Sequence, residues 1–195
     1  LYPWRFAGIN SGNTTLHFRW EDTLPCTWST QDAKAAGDSC DKPTMVSPYR
    51  FTVFSKSGYE ENGGWTLEYW TNKGNHETVN YTKTTGLTLP DGEWITRFTI
   101  DTDAAPQTSP QAWLHGTAPA DLPTTEPADF ASHYNPVLPP EKYYNYVASP
   151  DYVRFQNCAT GTVTDKDTGT VVTSSDELCS WMRVRDEFPS VQAYK

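Results

Sequence analysis

Two glutamates and a tryptophan are candidates for catalytic or ligand-binding residues in this sequence. Glu68 stands two residues before Trp70, near the end of an aromatic segment, and Glu93 opens a second segment with the alternation of a strand. Retaining glycosidases hold two carboxyl groups ~5–5.5 Å apart, one of them as a general acid. If the two segments were neighbouring strands, Glu68 and Glu93 would be the catalytic pair and Trp70 a platform for a sugar ring. One hypothesis is therefore a secreted glycan-cleaving enzyme of the glycoside hydrolase type.

The same residues suit binding without catalysis. Sugars present apolar C–H faces and many hydroxyls, so a site for them needs flat rings beside short polar groups. Trp70 and Thr66 share one strand face, Arg97 points outward from the second segment, and Trp113 and Tyr144 supply further rings. Tryptophan and tyrosine also serve protein interfaces. These five residues are the predicted ligand-binding set, and the predicted function is extracellular recognition of a glycan or a partner protein surface, as in an adhesin or a viral attachment domain.

The motifs of common enzyme and metal classes are absent from the sequence. It contains no Gly-x-Ser-x-Gly elbow, no nucleotide-binding glycine pattern and no His-Glu-x-x-His. Asp101 and Asp103 alternate, but the stretch does not continue into a calcium loop, so we expect strand-end residues there. We predict no metal and no cofactor.

Alternation with a period of two places the candidate residues on strands. Its predicted inward residues are Leu16, Phe18 and Trp20 in the first strand, Trp65, Leu67 and Tyr69 in the aromatic segment, and Trp94 and Phe98 in the segment from Glu93 to Asp101. Glu68, Glu93 and Arg97 then point outward, and His17 is expected to be a solvated face residue.

The connections predict the fold class. A Gly-rich stretch between Tyr49–Phe54 and Trp65–Trp70 predicts an antiparallel hairpin, and Gly169 marks a second one between 162–164 and 170–172. Eight or more short strands with almost no helix predict an all-β protein, which is an antiparallel β-sandwich, a jelly roll or a barrel.

Residues 102–140 differ in character from the rest of a predicted single domain, 1–195. They hold eight of the 15 prolines, and no Lys or Arg occurs between Arg97 and Lys142. Proline cannot supply the hydrogen bonds of a central strand, so we expect a long, acidic, Pro-rich surface excursion. An interdomain linker and a disordered segment are the alternatives. If this excursion covers Trp70, the function lies elsewhere.

Cysteines and sequons indicate the compartment. The spacing of the four cysteines excludes zinc knuckles and redox motifs, and it favours two disulfides in a secreted or surface-exposed glycoprotein. The predicted bonds join Cys26 to Cys40 and Cys158 to Cys179, and the predicted glycosylation sites are Asn13 and Asn80.

The net charge of −9 argues against nucleic acid and anionic membranes as partners, because such a surface repels phosphates. Arg183 and Arg185 are the densest basic pair, and two acids follow them directly. No apolar run reaches membrane-spanning length. The oligomeric state cannot be inferred from these patterns.

Overall fold

The computed structural model describes residues 2–27, 36, 40–54, 64–119, 152–175 and 177–185. Thirteen strands lie in these ranges: β1 Tyr2–Ala7, β2 Leu16–Thr23, β3 Cys26–Thr27, β4 Lys42–Pro43, β5 Val46–Phe54, β6 Trp65–Thr71, β7 His76–Tyr81, β8 Thr84–Leu87, β9 Ile95–Ala104, β10 Gln111–Thr117, β11 Tyr152–Asp165, β12 Val171–Ser174 and β13 Leu178–Arg185. The predicted all-β class is confirmed.

Two antiparallel sheets form a β-sandwich. The small sheet has the order β1-β10-β5-β8. The large sheet has the order β12-β11-β2-β9-β6-β7, and β13 also pairs with β11. The strands β2, β9 and β6 are therefore neighbours, and they carry most of the candidate residues.

Alternate residues of both sheets fill the space between them. Trp65, Leu67 and Tyr69 are at most 5% exposed, which confirms their predicted inward direction. The ring of Phe98 in the large sheet meets Phe6 and Phe51 of the small sheet edge-on, with centroids 5.6 Å apart in both pairs. Burying a large apolar side chain contributes about 1.5–3 kcal/mol. This aromatic interior holds the two outer faces in place.

Tyr49 is a polar link between the sheets. Its hydroxyl, on β5 of the small sheet, donates to the carbonyl of Met45 at 2.9 Å and accepts from the backbone N–H of Ile95 in the large sheet at 3.2 Å. Burial raises the pKa of Tyr49 to about 12, although the bond from Ile95 acts in the opposite direction. The hydroxyl is thus a neutral group that bonds to both sides of the sandwich.

The first predicted hairpin is wrong and the second is confirmed. β5 pairs with β10 and β8, whereas β6 pairs with β9 and β7, so the chain changes sheets between β5 and β6. A Gly-rich connection suits either route, because each strand alone needs only one apolar face. β11 and β12 do form a hairpin, with Gly169 at a φ of 69° in its turn.

The first part of the predicted excursion belongs to the sheets. β9 continues to Ala104, and β10 lies between β1 and β5 in the small sheet. Pro106 and Pro110 lie in the connection between β9 and β10, where a missing N–H costs no ladder bond. The surface-excursion prediction is therefore wrong for residues 102–104 and 111–117, which belong to strands, whereas residues 120–140 lie outside the described residues.

One predicted disulfide is observed directly, between Cys26 and Cys40. Cys158 is also disulfide-bonded, and Cys179 is its register partner across β11 and β13. The side chains of Asn13 and Asn80 are exposed, and their glycosylation stays a prediction. The described ranges contain no helix with the length and apolarity needed to cross a membrane.

Candidate functional site

The outer side of the large sheet is a polar surface made by the central strands. Alternation turns Glu68 and Trp70 of β6 away from the core, opposite Thr99 and Arg97 of β9. We call this surface the polar face, and its members are His17, Arg19, Glu21, Thr66, Glu68, Trp70, His76, Arg97, Thr99, Asp101 and Asp103. The predicted residues Thr66, Glu68, Trp70 and Arg97 all lie on it.

Trp70 is held between two cationic or polar side chains. The imidazole of His76 is parallel to the indole within 9°, with centroids 4.5 Å apart. The guanidinium carbon of Arg97 lies 4.4 Å from the indole centroid. Because β7 and β9 flank β6, His76 and Arg97 cover the two faces of the ring, each contact being worth about 0.5–1 kcal/mol. Trp70 therefore offers its edge to a ligand, and a sugar can stack on it only if a neighbour moves.

Both carboxylate oxygens of Glu68 have partners. One lies 2.7 Å from Nε2 of His76, and the other lies 3.6 Å from a guanidinium nitrogen of Arg19. The hydroxyl of Thr99 also donates to Glu68 at 3.5 Å. Glu68 is therefore fixed in position by groups from both neighbouring strands and by Arg19 beyond them.

Asp101 and His17 continue the network across β2 and β9. One guanidinium nitrogen of Arg19 donates to both oxygens of Asp101 at 3.0 Å. The two ring nitrogens of His17 lie 3.2 Å from Asp101 and 2.9 Å from Asp103. As expected, His17 is partly exposed on the outer face and Asp101 and Asp103 lie near the end of β9. The sequence did not predict that these three residues bind one another.

The network ends at Lys166 on one side and Glu21 on the other. Nζ of Lys166 lies 2.5 Å from Asp103. Partial burial opposes ionisation of Asp103, yet hydrogen bonds from Lys166 and His17 hold its pKa below the ordinary range. At the other end Nε of Arg97 lies 2.9 Å from Glu21. Hydrogen bonds, ion pairs and stacked rings thus join the polar face from end to end.

Glu93 is not part of the polar face, which corrects its predicted outward direction. The side chain is buried, and it accepts hydrogen bonds of 2.6 Å from the hydroxyl of Thr71 and from the amide of Asn75. These two bonds, with Thr71 the stronger cause, hold the pKa of Glu93 below its ordinary value, while burial acts the other way. Glu93 organises the turn between β6 and β7, and Glu68 shares no partner with it among the described residues.

The other predicted ligand residues lie apart. Trp113, on β10, faces outward from the small sheet, on the opposite side of the sandwich. Thr66 is on the polar face, where its hydroxyl donates to Asn80 at 3.0 Å, so a glycan on Asn80 would border this surface. Tyr144 lies outside the described residues.

Asp22 is a buried carboxyl that points from β2 into the core. It is 1% exposed, and its one hydrogen bond in the described ranges comes from the side-chain amide of Asn157 at 2.7 Å. The second oxygen of Asp22 and the amide oxygen of Asn157 have no hydrogen-bond partner there. Burial raises the pKa of Asp22 to about 7, although the bond from Asn157 lowers it. When Asp22 is protonated, its O–H is a hydrogen-bond donor for the amide oxygen of Asn157.

Sequence reasoning missed the roles of His17, Arg19 and Asp101. A signal was present, because basic residues alternate in β2 and acidic ones alternate in β9 with the same period. Opposite charges facing each other across neighbouring strands stabilise a pair by about 0.2–1 kcal/mol. That signal becomes useful only once the two strands are known to be neighbours.

No group of three or more His, Cys, Asp or Glu in the described part of the chain is arranged to hold a metal ion. No protein-family model matches the chain, and no curated protein or solved structure is significantly similar to it.

Proposed function

We propose that this chain is an extracellular recognition domain that binds a glycan on its polar face. The observation that carries the proposal is the convergence of Thr66, Glu68, Trp70 and Arg97 on one solvent-facing surface, where all but Thr66 belong to one bonded network. Their side chains are a hydroxyl, a carboxylate, an indole and a guanidinium, which together suit a sugar.

A pre-arranged surface binds at lower entropic cost. Immobilising a long side chain on binding costs about 0.5–1.5 kcal/mol. Neighbouring side chains already hold Arg19, Glu68 and Arg97 in place. Much of their loss of conformational entropy has therefore occurred on folding. The planar carboxylate and guanidinium groups can then exchange water for sugar hydroxyls with little rearrangement.

The glycan is favoured over a partner protein by the density of charge. Cores of protein interfaces are depleted of charged residues, whereas the centre of the polar face holds Glu68, Arg19 and Asp101. Desolvating such groups under an apolar partner is unfavourable, because each loses hydration that the partner does not replace. A hydroxyl-rich ligand replaces it.

The extracellular part of the proposal is supported by cysteine chemistry. Cys26 is bonded to Cys40, Cys158 is disulfide-bonded, and disulfides persist mainly in oxidising compartments. The exposed sequon residues Asn13 and Asn80 agree with that route. The glycan-cleaving alternative required Glu68 and Glu93 to face one substrate, and no observation favours it.

A glycan array with three proteins tests the proposal: the parent, Glu68→Gln and the matched control Glu77→Gln. Glu77 lies on β7 opposite Tyr69, so it belongs to the other side of the sheet and is exposed. We expect the parent to bind a defined glycan and Glu68→Gln to bind about 10-fold more weakly, because a charge-assisted hydrogen bond is worth about 1.5–3 kcal/mol. Glu77→Gln should bind like the parent.

Two results would contradict the proposal. Equal affinity of the parent and Glu68→Gln would remove the polar face as the site. Binding of the parent to no glycan on a broad array would remove the function. Matching circular dichroism spectra of the three proteins would exclude misfolding as the cause of any loss.

A further inference from the structure

The outer side of the small sheet differs in charge from the protein as a whole. Alternation buries Trp4 and Phe6 of β1 and leaves Arg5 between them exposed. The same rule in β5 leaves Arg50 exposed. We call this surface, which also includes Trp113 and His115 of β10 and Thr52 of β5, the cationic face.

The register places the two arginines diagonally around Trp113. Arg5 is opposite Trp113, which is opposite Thr52, and in a neighbouring row His115 is opposite Arg50. The guanidinium carbon of Arg5 lies 5.8 Å from the indole centroid of Trp113. Since β10 separates β1 from β5, the arginines are about 10 Å apart across the sheet, twice the strand spacing.

Neither arginine is neutralised by an acid in the described residues. Arg5 donates to the side-chain oxygen of Gln111 at 3.0 Å, and no ion pair engages Arg5 or Arg50 within those ranges. The other outward positions described on these four strands carry no charged side chain. The field of Arg50 reaches its neighbour: burial is the main cause that lowers the pKa of His115, and the charge of Arg50 lowers it further.

We propose that the cationic face binds an acidic oligosaccharide, with its carboxylate or sulfate groups on Arg5 and Arg50. A guanidinium presents a planar fork of donors that matches either anion. The row between the arginines carries an indole and the hydroxyl of Thr52, which suit a sugar ring and its hydroxyls.

Charge density favours this ligand over a nucleic acid. Duplex DNA carries one negative charge per ~1.7 Å of axis. A protein of net charge −9 repels such a polymer over most of its surface, whereas a ligand with sparse charges can place them on two arginines.

An acidic peptide is also a poorer fit. Its backbone N–H and C=O groups need partners, but the backbone of the two central strands, β10 and β5, is already engaged in the sheet ladder on both sides. Sugar hydroxyls need only side-chain partners, which this face provides. The inference is independent of the polar face, because the two surfaces lie on opposite sides of the sandwich.

Isothermal titration of the full chain tests the inference with three octasaccharides: a κ-carrageenan-derived one with sulfates only, an oligogalacturonate with carboxylates only, and neutral maltooctaose. The variants are Arg5→Gln, Arg50→Gln and the matched control Lys73→Gln, which removes an exposed positive charge from the turn between β6 and β7. We expect binding of at least one acidic probe, and no binding of the neutral one that depends on Arg5 or Arg50. Each arginine variant should weaken binding about 10-fold, the loss of one exposed charge-assisted contact, and Lys73→Gln should not.

The two acidic probes distinguish sulfate from carboxylate as the group recognised. Parent protein that binds neither probe, or arginine variants that bind like the parent, would overturn the proposal. Tighter, arginine-dependent binding of a poly-glutamate or single-stranded DNA control of equal charge would overturn the assignment to a saccharide. Glu68→Gln should leave this binding unchanged, so failure here is distinct from failure of the polar face.

Discussion

The two outer faces of this sandwich are built by the same alternation but treat their charges differently. On the polar face Arg19, Arg97 and Lys166 each contact a carboxylate of a neighbouring strand or turn. On the cationic face Arg5 and Arg50 lie among aromatic and uncharged residues. The side to which a residue points follows from alternation. Whether its charge is paired depends on the residues that face it on the neighbouring strands.

The two charge patterns suit different kinds of ligand. A closed network presents fixed donors and acceptors with a small net field, which favours a neutral polyhydroxylated ligand. Arg5 and Arg50 have no acidic partner in the described part of the chain and act through their electric field, so binding to them should weaken as salt screens that field. Substitutions that remove one member of an ion pair are therefore the most direct test of this difference between the two faces.

The largest effect is expected at Asp22, the carboxyl that β2 turns into the core. The pKa of Asp22 is raised from 3.8 to about 7 in the folded protein, so the folded state keeps a proton that the unfolded chain has lost. This term therefore destabilises the protein as pH rises between these values, by up to about 4 kcal/mol. Asp22→Asn has no proton to lose and can form an amide pair with Asn157, so its advantage over the parent should grow with pH.

Urea unfolding of both proteins from about pH 4 to about pH 8 measures this difference. Asp91→Asn, at an exposed turn position, is the control and should give a nearly constant difference from the parent. If the difference between Asp22→Asn and the parent were also independent of pH, Asp22 would not titrate in this range.

A smaller effect on stability is expected from removing an arginine, and the loss should be greater for Arg19, which is ion-paired, than for Arg50. Arg19→Gln removes one partner of Asp101 and a neighbour of Glu68, and should lower the free energy of unfolding by about 1 kcal/mol, since Arg19 is partly exposed. Arg50→Gln removes no ion pair to a described residue and should change stability by less than about 0.5 kcal/mol. Thermal unfolding of the two variants checks this, and equal losses would contradict the contrast between the faces.

The smallest effect concerns the end of the network. Lys166→Gln removes the closest cation to Asp103, so the pKa of Asp103 should rise towards its ordinary value. Stability supplied by a lowered carboxyl pKa is present at neutral pH and is lost as pH falls through that pKa, so the variant should lose less on acidification. An NMR titration of the Asp103 carboxyl carbon measures the shift, and an unchanged pKa would show that Lys166 does not act on it.

Alternation predicted the strand faces where the ladder is regular. It placed Phe18, Trp20, Trp65 and Leu67 in the core, and they are buried. Continued by one step it also turns Asp22 inward, which the apolar pattern alone does not suggest. Local pattern is sufficient here because each residue's direction follows from its parity along the strand.

Alternation failed at the start of β9. The pairing shifts from Trp70 with Arg97 to Thr71 with Ile95, so β9 contains one extra residue at this point. Ile95 therefore turns inward, and Glu93 falls in the preceding connection. No residue type in this stretch marks such a bulge.

Sheet membership and register were also beyond local pattern. Trp65–Trp70 carries the same signal whether it pairs with β5 or β9, and only the packing of the whole chain decides. The polar network depends on that choice, because it joins residues more than 80 positions apart in sequence, such as Arg19 and Asp101. The cationic face likewise joins Arg5 to Trp113.

The hydroxyl of Tyr49 has a mechanical consequence. Apolar contact between two sheets has no preferred direction, so an aromatic interior alone resists separation better than sliding. A hydrogen bond requires both a distance and an angle, and the bond from Ile95 to Tyr49 therefore fixes the offset of one sheet against the other. If each outer face holds a ligand, the domain is a rigid spacer that keeps two bound saccharides in a constant relative orientation.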